Sequence, residues 1–514
     1  METSTSAKLK WWHNEDWLAV VVGGLLIGAV LLGWRPALPT FHWMTSGHFA
    51  DEVAALRGRA DQLQRLREAT ADLGETQAAT AIAALGSALE GSDREAVRGA
   101  VQEVEQAAEQ VRDRDAAKAI LEPLEPLRSK RTESLQSVVS LDNFRRAAQV
   151  GVIYLVIALI GVRLLGGKVL EFAVGFPFVF ALAWCAQAVA GNSRVHDLGL
   201  EYVIFGLGFG LLVNHLVRLP DWLRQAVRTE FYIKSGLVIL GASILFREIM
   251  QAGLLGIAQS VLVVTVVWYF CFWTSRRLRV DDEFAVMLST AVSICGVSAA
   301  IAACGAIAGD RKKLSYVTSL VLIVAVPMMV VMPWVVKHFH IPEVVAGAWM
   351  GGTLDTSGSV VAAGSLISEA AMKTGVIVKF SQNVLLGVAA FGLSVWWTMR
   401  QRQSTGERPT VRLIWERFPK FVLGFIVVSL LFSFVLDGAI VKESKGLLTG
   451  LRNWWFALAF VSIGLETRFT DLVSMEGGRP AAAFVIAQTF NVVWTLLLAW
   501  LIFGGLLFAV PAIR

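Results

Sequence analysis

Two segments of the chain combine glycine with clustered hydroxyl side chains inside otherwise apolar sequence. The first reads STAVSICGVSAAIAA from Ser289 to Ala303, and the second reads GGTLDTSGSVVAAG from Gly351 to Gly364. A helix that is interrupted within a membrane leaves backbone N–H groups unpaired, and its second half carries partial positive charge at its N-terminus. Because an anion can bind there without a full counter-charge, these two segments are the candidate site.

The candidate ligands are the polar, thiol and glycine residues at the two centres, together with polar residues of a later apolar stretch. We expect the substrate to contact this set: Ser293, Cys295, Gly296, Ser298, Thr353, Thr356, Ser357, Ser359, Lys379 and Asn383. The alternative is plain helix packing, because small residues also let neighbouring helices approach closely. For Cys295 a packing role is favoured over a reactive thiol.

Two charged residues fall within these apolar stretches. Asp355 lies at the centre of the second segment, and Lys379 lies in the run GVIVKF. A charge in a membrane is unfavourable by about 2.5–3.5 kcal/mol or more, so each residue is a functional candidate. Asp355 is predicted to carry the coupling ion or proton, by pairing with Lys379, by protonation or by binding Na⁺. Lys379 would supply positive potential, unless it extends to the membrane interface.

The elements that must position these residues are membrane helices. Hydrophobic residues make up 55% of the 514 residues and charged residues 17%, against about 25% in soluble domains. We predict an all-α polytopic membrane protein with about thirteen transmembrane helices, two of them broken at the midplane near 289–305 and 351–365. The apolar runs of about 20 residues that predict these helices are 17–34, 148–165, 172–191, 200–216, 231–246, 254–273, 284–308, 314–337, 344–367, 374–398, 418–436, 450–466 and 481–509.

One stretch has a different composition. Residues 45–146 carry 18 Asp or Glu and 14 Lys or Arg, and their leucines and valines recur at helical spacing. We therefore predict three domains: a first transmembrane helix in 1–46, a water-soluble helical bundle in 47–146, and a transporter domain in 147–514. The bundle is either a plain water-facing module or a docking and dimerisation module for a protein partner.

The basic loops indicate the topology. When the predicted helices are counted along the chain, most of the Lys- and Arg-rich loops fall on the same side of the membrane as the N-terminus. Because basic loops are typically cytoplasmic, this places the N-terminus in the cytoplasm and the bundle outside. The cluster at 310–313 falls on the wrong side. Either the count is off by one, or the run at 284–308 does not cross the membrane simply.

The chain also contains internal similarity. Ser293-Ile294 matches Thr353-Leu354 at an offset of sixty, and residues 301–303 match 361–363. A second pair, 241–249 and 464–472, lies at an offset of 223. Internal repeats are the common architecture of secondary transporters.

Both segments resemble the sulfate exporter family of bacterial inner-membrane proteins, the YeiH-like group. That family's first pattern reads approximately G-T-A-I-C-G-A-S-A-I-A-A, and residues 293–299 match its core. Its second pattern reads roughly G-x-S-I-H-D-x-A-Q-V-V-A-A-G, and Gly351 and residues 360–364 match it. The resemblance covers roughly residues 200–505. It excludes the polar bundle, and it implies export of sulfate.

The chain departs from the family at positions that would face the substrate. The family's His-Asp pair falls on Asp355-Thr356, its Gln falls on Ser359, and its K-x-x-R appears as residues 379–382 without the Arg. The family is similar to the cation/proton antiporter and anion transporter group. That likeness implies unwound helices from inverted repeats and a core domain that moves against a scaffold, often in a homodimer. The two breaks found here lie one helix apart and would run parallel.

These observations predict a secondary transporter of the bacterial inner membrane that moves a small anion such as sulfate, a sulfonate or another oxyanion. The alternatives are a cation/proton antiporter that uses Asp355, and a non-transporting receptor or scaffold that works through the bundle. No P-loop, H-E-x-x-H or G-x-S-x-G motif is present, so we expect no enzyme. We expect no cofactor and no metal beyond coupling Na⁺ or H⁺. Expected partners are lipid and the anion, with no nucleic acid, since the basic residues sit in short loops.

Overall fold

The computed structural model describes an all-helical chain over residues 15–59, 64, 68, 70, 75–91, 93–111, 117, 120–128, 132–197, 200–244, 246–307, 309–401, 415, 418–467 and 478–513. Its helices are α1 Glu15–Leu31, α2 Ser46–Arg57, α3 Thr76–Gly91, α4 Arg94–Gln110, α5 Leu135–Val138, α6 Leu141–Leu164, α7 Val169–Ala190, α8 Ser193–Asp197, α9 Tyr202–Leu216, α10 Asp221–Ala226, α11 Thr229–Leu240, α12 Phe246–Arg277, α13 Asp282–Ser293, α14 Val297–Ile307, α15 Arg311–His338, α16 Glu343–Thr353, α17 Ser357–Ser365, α18 Glu369–Gln401, α19 Lys420–Leu430, α20 Gly438–Glu466 and α21 Arg479–Phe503. Short 3₁₀ turns occupy Glu122–Leu127 and Gly241–Ser243, and a π-turn at Leu431–Val435 extends α19. Within these residues no named strand occurs, and a single bridge pairs Trp43 with Asn192.

The chain divides into two compact units. One comprises residues 36–152 and 184–205, and the other comprises 1–35, 153–183 and 206–514. The first unit contains α2 to α5 and α8, and its core includes aliphatic side chains such as Val53, Leu85 and Val101. An extracytoplasmic, water-soluble role for its polar part stays a prediction.

The second unit holds most of the apolar helices. Six described helices are long and apolar enough to cross a membrane: α6, α7, α12, α15, α18 and α21. Shorter apolar helices lie at Tyr202–Leu216, Val297–Ile307 and Lys420–Val435. The chain is therefore a helical membrane protein, while the count of thirteen crossings is not established by these six.

The run at 284–308 folds back on itself instead of crossing the membrane. Lys313, in the first turn of α15, pairs with Asp281 and lies 3.2 Å from Glu283, the residues that begin α13. The backbone N–H of Asp310 also donates to Glu283. The segment α13–α14, which we call the first hairpin, therefore returns to the side from which it enters. This corrects the prediction of a broken crossing helix.

The same correction applies to the run at 344–367. Gly347, in α16, packs on Ala371 near the start of α18, and Gly364, near the end of α17, packs on Met372. Gly352, near the break between these helices, instead accepts a hydrogen bond from Gln382, nearly three turns further along α18. The segment α16–α17, the second hairpin, thus also has both ends at one level.

The two hairpins enter from opposite ends of α15. This helix has 28 residues, which corresponds to about 42 Å at 1.5 Å per residue. The first hairpin ends where α15 begins, and the second begins just after α15 ends. The breaks therefore point toward each other, and the parallel arrangement expected from the sequence is wrong. The cluster at 310–313 now lies beside the basic loop that follows α12, so it no longer contradicts the predicted topology.

The apolar helices of this unit form two packed groups. The scaffold group contains α1, α11, α19 and α20, which pack on one another at small residues such as Gly23, Gly236 and Gly424. The hairpin group contains both hairpins with α12, α15, α18 and α21. Gly256 packs on Ser381 within this second group, and Phe270 stacks on Phe490 with ring centroids 4.0 Å apart. Contacts between the two groups are comparatively sparse.

Candidate functional site

The two breaks occupy equivalent positions of their hairpins. In the first, α13 ends at Ser293 and α14 begins at Val297; in the second, α16 ends at Thr353 and α17 begins at Ser357. The offset of sixty found in the sequence therefore describes two copies of a helix–break–helix unit. The 241–249 and 464–472 pair falls partly outside the described residues, because 468–472 are not described.

The carbonyl groups at the first break are occupied by α18. Lys379 donates from Nζ to Ile294 O and to Gln382 Oε1, each at 2.7 Å. Gln382 in turn donates from Nε2 to Ser293 O at 2.7 Å and to Gly352 O at 3.3 Å. These bonds satisfy backbone acceptors that the ends of α13 and α16 leave unpaired. Lys379 is only 1% exposed, so the interpretation that it extends to the interface is wrong.

A second pair of amides occupies carbonyl groups at the break from α21. Gln488 Nε2 donates to Thr353 O at 3.0 Å. Asn491 Nδ2 donates to Val292 O at 3.1 Å and to Thr353 O at 3.4 Å, so it joins the two hairpins. Sequence reasoning missed both residues. The available signal was the presence of two amides three positions apart in an otherwise apolar helix, where polar groups are disfavoured.

The N-terminal halves of the breaks remain more open. Thr356 is the N-cap of α17 and accepts a hydrogen bond from Ser359 N at 3.0 Å, and the two hydroxyl groups lie 2.7 Å apart. The N–H groups of the first residues of α14 and α17 have no carbonyl within their own helix, as at every helix N-terminus. Both helix starts carry partial positive charge.

Two cavities lie against these helix starts. The smaller, about 100 Å³, is lined by Cys295, Ser298, Thr356, Ser357 and Asn383 on the side of the hairpin group. The larger, about 260 Å³, is lined by Val297, Thr356, Gly358 and Ser359. The two cavities share Thr356 and Val297 in their lining, so they lie side by side next to both breaks, and we call them together the vestibule.

The opposite wall of the vestibule carries a cluster of charges from the scaffold group. Lys234 Nζ lies 2.9 Å from Asp16 and 3.4 Å from Glu230. Glu466 accepts a hydrogen bond from Thr229 at 2.9 Å. Asp16 also accepts from the backbone N–H of Lys420 at 2.9 Å. The cluster therefore connects α1, α11 and α19 along this wall of the vestibule.

The predicted site residues separate into two sets. Those that line the vestibule are Cys295, Ser298, Thr356, Ser357, Ser359 and Asn383. Those that hold the breaks instead are Ser293, Gly296, Thr353 and Lys379, which are buried. Asp355 belongs to the buried set with 1% exposure; neither of its carboxylate oxygens has a hydrogen bond within 3.5 Å, and the Gln488 side chain interacts with the carboxyl group at longer range.

The tips of the hairpins touch at Gly296 and Asp355. Gly296 has a φ of +56°, and a Cβ atom there would lie 3.0 Å from both Cβ and the carbonyl oxygen of Asp355. The carboxyl group of Asp355 also interacts electrostatically with the ammonium group of Lys379, although the two groups are not in salt-bridge contact. The buried carboxyl group thus lies between the two breaks.

Replacing Thr356 with valine should weaken the site without changing its shape. The methyl group cannot accept the bond from Ser359 N, so we expect the free energy of unfolding to fall by about 0.5–2 kcal/mol. Thermal unfolding in detergent measures this. Thr489→Val is the matched control, because that exposed hydroxyl only donates back to Val485 O. Equal melting temperatures for both variants would contradict the capping role.

Comparison with known proteins identifies relatives of the membrane unit. A family model described as conserved hypothetical protein 698 matches residues 174–483. The chain is 40% identical over 65% of its length to a UPF0324 membrane protein of Rhodopirellula baltica, and it covers 63% of that protein. It is 37% identical over 67% of its length to one of Nitratidesulfovibrio vulgaris, covering 62% of it. A third, from Nitrosomonas europaea, is 28% identical over 66% of this chain, which covers 79% of it.

These comparisons assign the chain to a family of membrane proteins but give it no activity. The chain spans about three fifths of the length of the first two relatives, and the names of all three give no substrate. No solved structure matches the chain. The matched residues 174–483 include both hairpins, Lys379 and the vestibule wall apart from its α1 residues such as Asp16, and they stop just before Gln488 and Asn491.

Proposed function

We propose that this chain, which belongs to the family described as conserved hypothetical protein 698, is a secondary transporter for a small oxyanion. It would move sulfate, a sulfonate or a related anion across the bacterial inner membrane by alternating access. The N-terminus would lie in the cytoplasm and the bundle outside, in a homodimer. We expect no enzymatic reaction.

The unequal hydrogen bonding of the two ends of each break carries the proposal. Carbonyl groups at the break face Lys379, Gln382, Gln488 and Asn491, so acceptors that would bind a cation are already occupied. The first residues of α14 and α17, among them Val297, Ser298 and Ser357, line the vestibule, and the N–H groups at a helix start have no carbonyl partner within their own helix. A ligand that enters therefore meets donors and positive helix ends, which favour an anion.

The side chains along this path suit an oxyanion. Ser298, Thr356 and Ser357 offer hydroxyl groups at the two helix starts, and Asn383 donates to Ser357 Oγ at 3.4 Å. A free volume of about 100 Å³ suits a small anion with a few waters. Lys379 would contribute to the positive potential from behind the break. Asp355 would carry the coupling proton between the two hairpins.

The division into scaffold and hairpin groups supports alternating access. Both hairpins, with the helices that hold their breaks, belong to one group, so the site would travel as a unit against α11 and α20. Asp16 and Lys234 line the vestibule, at the end predicted to be cytoplasmic. In this proposal the structure would correspond to an inward-facing state.

The test is ligand-induced stabilisation followed by flux. Purified protein is melted with sulfate, organosulfonates, phosphate and carboxylates, and the best ligand is then used for uptake into proteoliposomes under an imposed pH gradient. A bound ligand raises the melting temperature by mass action. We expect one oxyanion class to stabilise the chain, Ser298→Ala and Ser357→Ala to reduce the shift, and Ser365→Ala, at the far end of α17, to retain it. If no oxyanion stabilises or crosses, the proposal fails.

The cation/proton antiporter stays the second candidate, and one observation favours it. Four acidic residues of the vestibule wall, which attract a cation, face two basic ones: Glu15, Asp16, Glu230 and Glu466 against Arg228 and Lys234. Stabilisation by a cation alone, lost in Asp355→Asn, would select this candidate. A non-transporting receptor or scaffold that works through the bundle would be ruled out if deleting residues 47–146 left the flux unchanged.

A further inference from the structure

The surroundings of the Lys379 ammonium group resemble a binding site for a small cation. Its Nζ atom lies 2.7 Å from the carbonyl oxygen of Ile294 and 2.7 Å from the amide oxygen of Gln382. Ile294 directly follows the end of α13, where partial negative charge accumulates. The Asp355 carboxyl group adds charge nearby. Broken helices of transporters typically use such C-terminal carbonyl groups to coordinate Na⁺.

The side chain fills this position from within the protein. Lys379 lines neither cavity, so its ammonium group lies behind the break. Gln382, which shares the ammonium group, is itself anchored to Ser293 O and Gly352 O. This arrangement holds one positive charge between the two hairpins, where a free ion would need to bind and leave in each cycle.

We propose that Lys379 is a fixed internal cation that occupies a latent Na⁺ site. Transport would then need no Na⁺, and shortening the side chain would open the site to Na⁺. The statement that transport needs no Na⁺ rests on the proposed function. Whether Lys379 occupies a Na⁺ site is a property of the folded protein, and it can be measured without any substrate.

Three variants distinguish whether the charge or the volume of the Lys379 side chain keeps Na⁺ out of the proposed site. Lys379→Ala removes the ammonium group and leaves space for an ion. Lys379→Met removes the charge but keeps most of the volume, so the site stays blocked. Lys373→Ala is the control, because Lys373 is also buried on α18, six residues before Lys379, but lies 3.4 Å from Glu369.

The experiment compares melting temperatures in NaCl, KCl and choline chloride at equal ionic strength. We expect no Na⁺-specific shift for the wild type or for Lys373→Ala. Lys379→Ala should be destabilised in choline chloride, and NaCl should restore a few degrees of its melting temperature. Lys379→Met should be destabilised without restoration.

Three results with the purified protein would overturn the inference. They are a Na⁺-specific stabilisation of the wild type, a Lys379→Ala variant that melts alike in all three salts, and a Lys379→Ala variant that fails to fold even in NaCl. A wild-type flux that requires Na⁺ would also overturn it. If no anion is transported at all, the proposed function fails, while the melting data still report whether the site accepts Na⁺ when Lys379 is shortened.

Discussion

Substituting Gly296 with alanine should prevent the chain from reaching a stable folded state. The residue has φ +56°, a conformation that disfavours any side chain by about 1–3 kcal/mol. The added Cβ atom would also lie 2.6 Å from Val321 Cγ1 and 3.0 Å from the carbonyl oxygen of Asp355. The backbone oxygen cannot move without displacing the second hairpin, so strain and steric overlap add.

The measurement is the yield of monodisperse protein from detergent and its melting temperature. Gly392→Ala is the matched control, since it lies within α18 with open space around its Cβ position. An exposed helical glycine replaced by alanine usually gains about 0.5–1 kcal/mol. A Gly296→Ala protein that folds, melts and binds as the wild type does would show that the hairpin tips do not need this close contact.

Changing Asn491 to aspartate should separate the two hairpins. The asparagine donates to Val292 O and Thr353 O, whereas an aspartate of the same shape would place negative charge against both carbonyl groups. An unsatisfied buried acceptor is unfavourable by about 1–3 kcal/mol, and a buried charge adds more. We therefore expect the melting temperature to fall sharply and ligand-induced stabilisation to disappear.

The control for this substitution is Asn453→Asp on α20. Asn453 already accepts hydrogen bonds from Arg452 through its side-chain oxygen, so the new charge should be tolerated. Thr495 should still donate to residue 491 in the aspartate variant, because that bond uses the retained oxygen. If Asn491→Asp keeps its stability and its ligand response, the link between the hairpins through α21 is not needed.

The sequence alone located the breaks but not the path of the chain through them. Glycine and hydroxyl clusters identify 293–297 and 353–357, because they break the Leu- and Val-rich pattern of the spans around them. A hairpin of two short helices and a crossing helix have the same length and the same apolar composition here. The only sequence indication of a hairpin was that the basic cluster at 310–313 fell on the unexpected side of the membrane. It was compatible both with a helix count that is off by one and with a run at 284–308 that does not cross simply.

The sequence indicated which residues belong to the candidate site more readily than it indicated the role of each residue. Lys379 and Ser357 are both polar residues in apolar sequence, yet one is buried behind the break and the other lines the vestibule. That distinction depends on which face of α18 or α17 meets its neighbours. The amides of α21 lie more than a hundred residues from either break, so only the fold brings them to the carbonyl groups that they satisfy.

The re-entrant form of the hairpins has a consequence for whether the number of membrane crossings is odd or even. An element that begins and ends on one face of the bilayer changes the number of crossings by zero. It can be gained or lost in a lineage without inverting the loops that follow, whereas one additional crossing helix would move every later basic loop to the opposite face. Enzyme reporters fused after Gly309 and before Asp281 should accordingly give the same compartment signal.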